Sequence, residues 1–289
     1  MRFRLSRFSL RTLLLIIIAA VCIAAGGTYS FADDSENTAQ TQSSEPGDEV
    51  SKKGIQIVDG NYPLLVDIQD IGVSYGFLNF FYNELVSTEP TEYFYDYKGK
   101  TYYYAADKVE LYDNTINTLT NAGISIVAAV VNGYNKDFPQ LRYPGVDFND
   151  GTQYYAFNAV TEEGVNLIEA CTYFLAERYN GGDKGKVVDW VIGNEVNDNL
   201  QYNYLKPCEG SSYVAEYYKQ FKMFYNIIKE INPQAEIYIP LEHRWQTANT
   251  MTDYGARWFL EEFNRNEKKD QQMDWGVAWH PYPYPLGDP

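Results

Sequence analysis

Short apolar runs alternate along the chain with longer segments of helical spacing, and polar residues collect just behind the apolar runs. The first run covers residues 55–58. Residues 62–71 follow, with Leu64, Leu65, Ile68 and Ile71 at helical spacing and Gly72 as a stop. Residues 73–80 read as the second strand, which ends at Asn79. A Tyr-rich insertion over residues 92–105 predicts a hairpin turning at Lys98, Gly99 and Lys100. Residues 107–122 read as the second helix and residues 124–131 as the third strand, while Thr161, Glu163 and Gly164 open a third helix running to Tyr179. The fourth strand heads residues 187–198, VVDWVIGNEVND. Residues 212–231 and 253–266 are the remaining helices, and residues 235–239 and 275–279 the fifth and sixth strands.

Strands alternating with helices of this length predict a parallel sheet. An open doubly wound sheet is the rival, but no glycine-rich phosphate loop follows the first strand. Polar and aromatic residues gather behind the strand ends, where α/β barrels keep their chemistry. The pattern therefore predicts an α/β fold, a (β/α)8 TIM barrel with about the first six strand units present.

The N-terminus departs from this alternation. Residues 1–32 carry Arg2, Arg4, Arg7 and Arg11 ahead of an apolar run over residues 13–25. Ser30, Phe31 and Ala32 then place small residues at the spacing signal peptidase reads, so cleavage is expected after Ala32 and the mature protein is expected to be secreted. The run is short for a membrane span; an uncleaved N-terminal anchor is the alternative. Residues 33–53 are polar and acidic with no aromatic, which predicts a disordered linker. Residues 54–289 remain as the catalytic domain.

Charge narrows the partners. The 289 residues carry a formal net charge of −16. Without the four leading Arg, 19 basic residues face 39 acidic ones. Nucleic acid and anionic membrane both require a basic surface, so neither is expected as a partner. A neutral or cationic substrate fits better. The chain has 27 Tyr, whose flat faces and hydroxyls suit carbohydrate, although most will fill helix–strand interfaces. Cys171 and Cys208 lack the spacing of a metal site or a nucleophile motif and read as structural, in a compartment that permits a disulfide. No cofactor is implied. The two His and scattered acids show no metal-ligand spacing either.

In the barrel register one mouth collects Asn79, Asn132, Asn194, Glu195, Glu242, His243, His280 and Tyr282. Both His fall directly behind strands. Glu195 is either a functional carboxylate or a turn glutamate after a core strand, and Glu242 could equally be an ion-pair partner of Arg244 or Arg257.

The pair Asn194-Glu195 closing the fourth strand, with His280-x-Tyr282 closing the sixth, resembles the large retaining clan of (β/α)8-barrel glycoside hydrolases that includes cellulases, mannanases and xylosidases. The resemblance implies a carbohydrate substrate, with Glu195 as general acid/base and Asn194 binding the sugar 2-hydroxyl. It also implies that His280 and Tyr282 lie near the nucleophile. Glu242 and Asn79 complete the candidate substrate-binding set, and Trp245 or Trp279 could stack on a sugar ring. Retaining hydrolysis needs a second carboxylate about 5–5.5 Å from the first. In the clan it closes the seventh strand, so the nucleophile is expected beyond residue 289 and the chain reads as C-terminally truncated. Two other readings stay open: a non-catalytic carbohydrate-binding protein on the same scaffold, and another, metal-assisted barrel hydrolase.

Overall fold

A computed structural model describes residues 51–57 and 65–282. The expected targeting segment and all but the last three residues of the linker lie outside them. The described chain opens with β1 (Gly54–Gln56), α1 (Leu65–Asp70) and β2 (Tyr75–Phe81). A short α2 (Tyr82–Leu85) leads into β3 (Val86–Ser87), β4 (Phe94–Tyr97) and β5 (Lys100–Tyr104). Regular alternation resumes with α3 (Ala106–Asn121), β6 (Ser125–Val131), α4 (Glu162–Arg178) and β7 (Val187–Ile192). It continues through α5 (Gly210–Ile231), β8 (Glu236–Leu241), α6 (Ala256–Glu267) and β9 (Gly276–Trp279).

Strands β1, β2, β6, β7, β8 and β9 form one six-stranded sheet in that order, every pair parallel. A doubly wound sheet reverses its order at a switch point and carries helices on both faces. Here the order never reverses, and right-handed crossovers taken in one direction put every helix on the same face. The sheet is six consecutive strand units of a (β/α)8 barrel.

Strand alternation separates two cores. Leu78, Phe80, Ile126, Ala128, Val130, Trp190, Ile192, Ile237 and Ile239 face the helices and belong to the larger cluster. Val127, Ala129, Val191, Tyr238 and Ala278 form a smaller one on the inner face, with Tyr75 and Phe77 against it. Gly276 has no side chain because the Tyr238 ring lies over it; a Cβ there would stand 2.5 Å from Tyr238 Cε1.

The helices seal the outer face by amphipathic spacing. On α5, Tyr213, Tyr217, Phe221, Phe224 and Ile228 recur three or four residues apart and are buried. Thr161 caps α4, its side chain accepting from the Gly164 amide at 3.2 Å. The last helix starts at Ala256, three residues later than the sequence pattern predicts. Asp253 is withheld from it by an ion pair with Arg244 and a backbone bridge to Asp198.

The Tyr-rich insertion folds as expected around Lys98 (φ 48°) and Gly99 (φ 79°), the paired positive φ values of a tight hairpin turn. β3 adds a third strand, which its two-residue length hid from any periodicity reading. This small sheet docks on α4: Tyr95 donates to Glu177 at 2.8 Å and Tyr97 to Glu169 at 2.9 Å.

Asp113 ties α3 to the end of α4. It accepts from Arg178 Nε at 2.7 Å and from the Tyr179 hydroxyl at 3.0 Å. Burial pushes its pKa up, but the hydrogen bonds and charge of Arg178 outweigh this and leave it below the usual carboxylate value. A depressed carboxylate contributes stability that is present above its unfolded pKa, about 3.9, and is lost as pH falls through the folded value. The urea-unfolding difference between wild type and Asp113→Asn is therefore expected to shrink from pH 7 to pH 3; an unchanged difference would count against this pairing.

Candidate active site

The mouth is built outward from β7. Trp190 and Ile192 face the helices while Val191 faces inward, so the strand is buried on both sides up to its end. The chain then turns sharply. Gly193 lies at φ 96°, and a Cβ there would meet Val196 Cγ1 at 2.6 Å. Glu195 lies at φ 42°, in the left-handed region that a residue with a Cβ enters at a cost of about 1–2 kcal/mol.

The surroundings hold that conformation. Two buried phenols one turn apart on α5 reach beneath the turn, with Tyr217 donating to the Ile192 carbonyl at 2.8 Å and Tyr213 to the Val196 carbonyl at 2.6 Å. The Val196 amide donates to the Pro240 carbonyl at 3.0 Å. Asn197 donates to Glu242 Oε1 at 3.0 Å and to the Tyr254 carbonyl at 2.8 Å, and accepts from the Glu242 amide at 3.0 Å. At about 0.5–1.5 kcal/mol each, these bonds together exceed the backbone cost.

The result is a carboxylate aimed across the mouth at β9. Glu195 is 7% exposed, and its Oε1 lies 2.8 Å from Nδ1 of His280, itself 8% exposed. The His280 amide donates to the Leu241 carbonyl at 2.9 Å, which fixes the imidazole relative to β8. Tyr282 stands edge-on to His280, with its phenol beside the Glu195 carboxylate. Burial first, then the charge of Glu195, push that phenol up to about 12. Tyr202, on the loop after β7, is likewise pushed up to about 12, by burial first and then by Glu195 and Asp198. A buried carboxyl group in contact with an imidazole and a phenol can exchange a proton with a bound molecule, the chemistry of a general acid/base.

The structure thus brings Glu195, His280 and Tyr282 together, and His243 joins them with its ring edge-on to Tyr282. Asn194 follows Gly193 at the same turn, half-buried, and its side chain makes no hydrogen bond among the described residues. Asn79 is half-buried on the inner face of β2 and equally uncommitted among them. Both amides are open to a ligand. Asn132 is fully buried and spends its amide on the Leu141 carbonyl at 3.2 Å.

Two expected ligand contacts are placed elsewhere. Glu242 is 3% exposed, and besides Asn197 its carboxylate engages Arg244 Nε at 2.9 Å and His243 Nδ1 at 3.0 Å. It supports the Glu195 turn rather than facing substrate. Its cation is Arg244, while Arg257 pairs with Glu261. Trp279 alternates with Ala278 and His280, so it projects from the opposite face of the sheet, where it meets Trp245 at 6.2 Å. That face is turned away from Glu195.

Sequence reasoning missed Tyr202. It sits in a polar loop without periodicity, and only the fold brings it beside Glu195. Cys171 and Cys208 are both free thiols, Cys171 deep in the core. Among the described residues no three His, Cys, Asp or Glu side chains converge as metal ligands.

Residues 45–289 match the model of a family described as a family of unknown function, DUF5722, and the chain belongs to that family. No curated protein matches it significantly. Among solved structures, the Ignisphaera aggregans GH53 catalytic domain is similar at 13% identity and a TM-score of 0.44, over 74% of this chain and 51% of that one. The family 1 β-glucosidase of Thermotoga maritima is similar at 13% identity and a TM-score of 0.46, over 76% and 54%. The β-glucosidase of Pyrococcus furiosus gives 13% identity and a TM-score of 0.45, over 75% and 53%. The chain spans about half the length of these structures.

Proposed function

We propose that the protein is a secreted glycoside hydrolase that cleaves O-glycosidic bonds of an oligo- or polysaccharide with retention of configuration. The observation that carries this reading is the buried Glu195–His280 pair, 2.8 Å apart at the C-terminal end of a parallel barrel sheet. Glu195 protonates the departing glycosidic oxygen in the first step. It then takes a proton from the incoming water in the second. Asn194 and Asn79, with uncommitted amides, hydrogen-bond sugar hydroxyls. Tyr282 and His280 keep the Glu195 carboxyl oriented between the two steps.

Retention requires a second carboxylate about 5–5.5 Å from Glu195 to attack the anomeric carbon. Glu242 does not fill this role, since Asn197, Arg244 and His243 already occupy its oxygens. On this reading the nucleophile is carried by a strand following β9.

The test is to incubate the protein with a panel of oligosaccharides and follow the first-formed anomer by proton NMR. The product is expected to keep the configuration of the cleaved bond; an inverted first product would contradict the retaining mechanism. The second reading is a non-catalytic carbohydrate-binding protein. It is favoured by the full engagement of Glu242, which leaves Glu195 without a second free carboxylate from the β8 end. Sugar binding without hydrolysis of any glycoside would select it.

A further inference from the structure

A cavity of about 320 Å3 opens beside the catalytic turn, walled by Asp150, Asp198, Gln201, Arg244, Thr252 and Asp253. Its walls come from the loops after β6, β7 and β8. Asp198 lies three residues beyond Glu195, and its amide donates to the Glu195 carbonyl at 2.9 Å, so the cavity shares the backbone of the site. The loops are braced to each other: Thr152 donates to the Leu200 carbonyl at 2.7 Å, and Asn149 donates to Thr152 at 2.7 Å. A cavity held open in this way binds without first ordering its walls.

Two further observations indicate what it holds. Phe148, two residues before Asp150, is 64% exposed and meets Tyr134 edge-on at 5.3 Å. The buried Arg142 guanidinium stacks on Tyr134 at 4.4 Å, so this exposed aromatic pair is held rigid. Exposed, fixed aromatic faces next to a polar cavity match a sugar ring, which has an apolar face and a rim of hydroxyls. Charge then selects among sugars. Arg244 is paired with Glu242 and Asp253. Asp198 lies within reach of its charge without an ion pair and accepts from the Leu200 and Gln201 amides through Oδ1, while Asp150 meets no cation among the described residues. Their carboxylates accept from hydroxyl or ammonium groups and repel another carboxylate.

We propose that this cavity is a second saccharide site for the same glycan, taking a neutral or amino-bearing ring and rejecting uronic acids. The substrate then spans at least two sugar residues, one at Glu195 and one between the β6, β7 and β8 loops. The inference rests on reading the mouth as a sugar site.

The test applies the protein, carrying Glu195→Gln to prevent turnover, to an array of neutral, amino-sugar and uronic-acid oligosaccharides. Asp150 and Gln201 are exposed, so adding Asp150→Ala and Gln201→Ala leaves the fold intact. Binding is expected for neutral or amino-sugar oligosaccharides and absent for uronic acids. The added substitutions should weaken it about tenfold. Unchanged binding after the double substitution, comparable binding of uronic acids, or no binding at all would overturn the proposal. The expected array pattern without hydrolysis by wild type would instead retain the site and remove the catalytic reading.

Discussion

Glu195→Gln is expected to lower hydrolysis of glycosides with ordinary leaving groups by about 10²–10⁴-fold, the range that a positioned general acid/base contributes. The substitution preserves shape. A Gln carbonyl still accepts from His280 Nδ1, so the contact that orients the side chain survives. What is lost is the proton. Thermal unfolding of the variant should therefore lie close to wild type while turnover collapses. Near-normal turnover would remove Glu195 from the reaction, and a large loss of stability would make the kinetic loss uninformative.

Asn197→Ala is expected to have the second-largest effect, acting on the turn instead of the proton. Asn197 makes three buried hydrogen bonds, and its removal leaves the Glu242 amide, Glu242 Oε1 and the Tyr254 carbonyl without their partner. A buried polar group stripped of its partner costs about 1–3 kcal/mol. Arg244 and His243 still hold Glu242 Oε2, which limits the damage. A destabilisation of about 2–4 kcal/mol in urea unfolding is expected on this count. The turnover number should fall more than KM rises, because the left-handed conformation of Glu195 loses one of its restraints. A loss under about 1 kcal/mol, below the cost of even one stripped group, with normal turnover would show that the α5 phenols alone hold the turn.

The barrel was legible in the sequence because it depends on periodicities that neighbours share. The run over residues 187–192 announced a buried strand, and the absence of a phosphate loop argued against the doubly wound alternative. The strand order then follows from the regular alternation. Glu195 and His280 were legible for the same reason, since Glu195 lies three residues beyond β7 and His280 directly follows β9. Their mutual contact was not, because it links residues 85 positions apart.

Other parts of the site had no local signal. Glu242 follows β8 just as Glu195 follows β7, so position alone gives both the same standing. Only the convergence of Asn197, Arg244 and His243 on its carboxylate separates support from chemistry. Tyr213 and Tyr217 read as an apolar helix stripe, which they are, and their hydroxyls brace the Glu195 turn from the same positions. Trp279 illustrates the period of two within a strand: one residue from His280, it projects from the opposite face.

The most direct test of Glu195 as the proton donor compares wild type and Glu195→Gln on aryl glycosides that differ only in the leaving phenol. A phenol of low pKa departs without protonation, whereas one of high pKa requires it. The account predicts that cleavage of the glycosidic bond is nearly preserved in the variant for a dinitrophenyl leaving group, and that the loss grows steadily as the phenol becomes more basic. A loss of equal size across the series would contradict it.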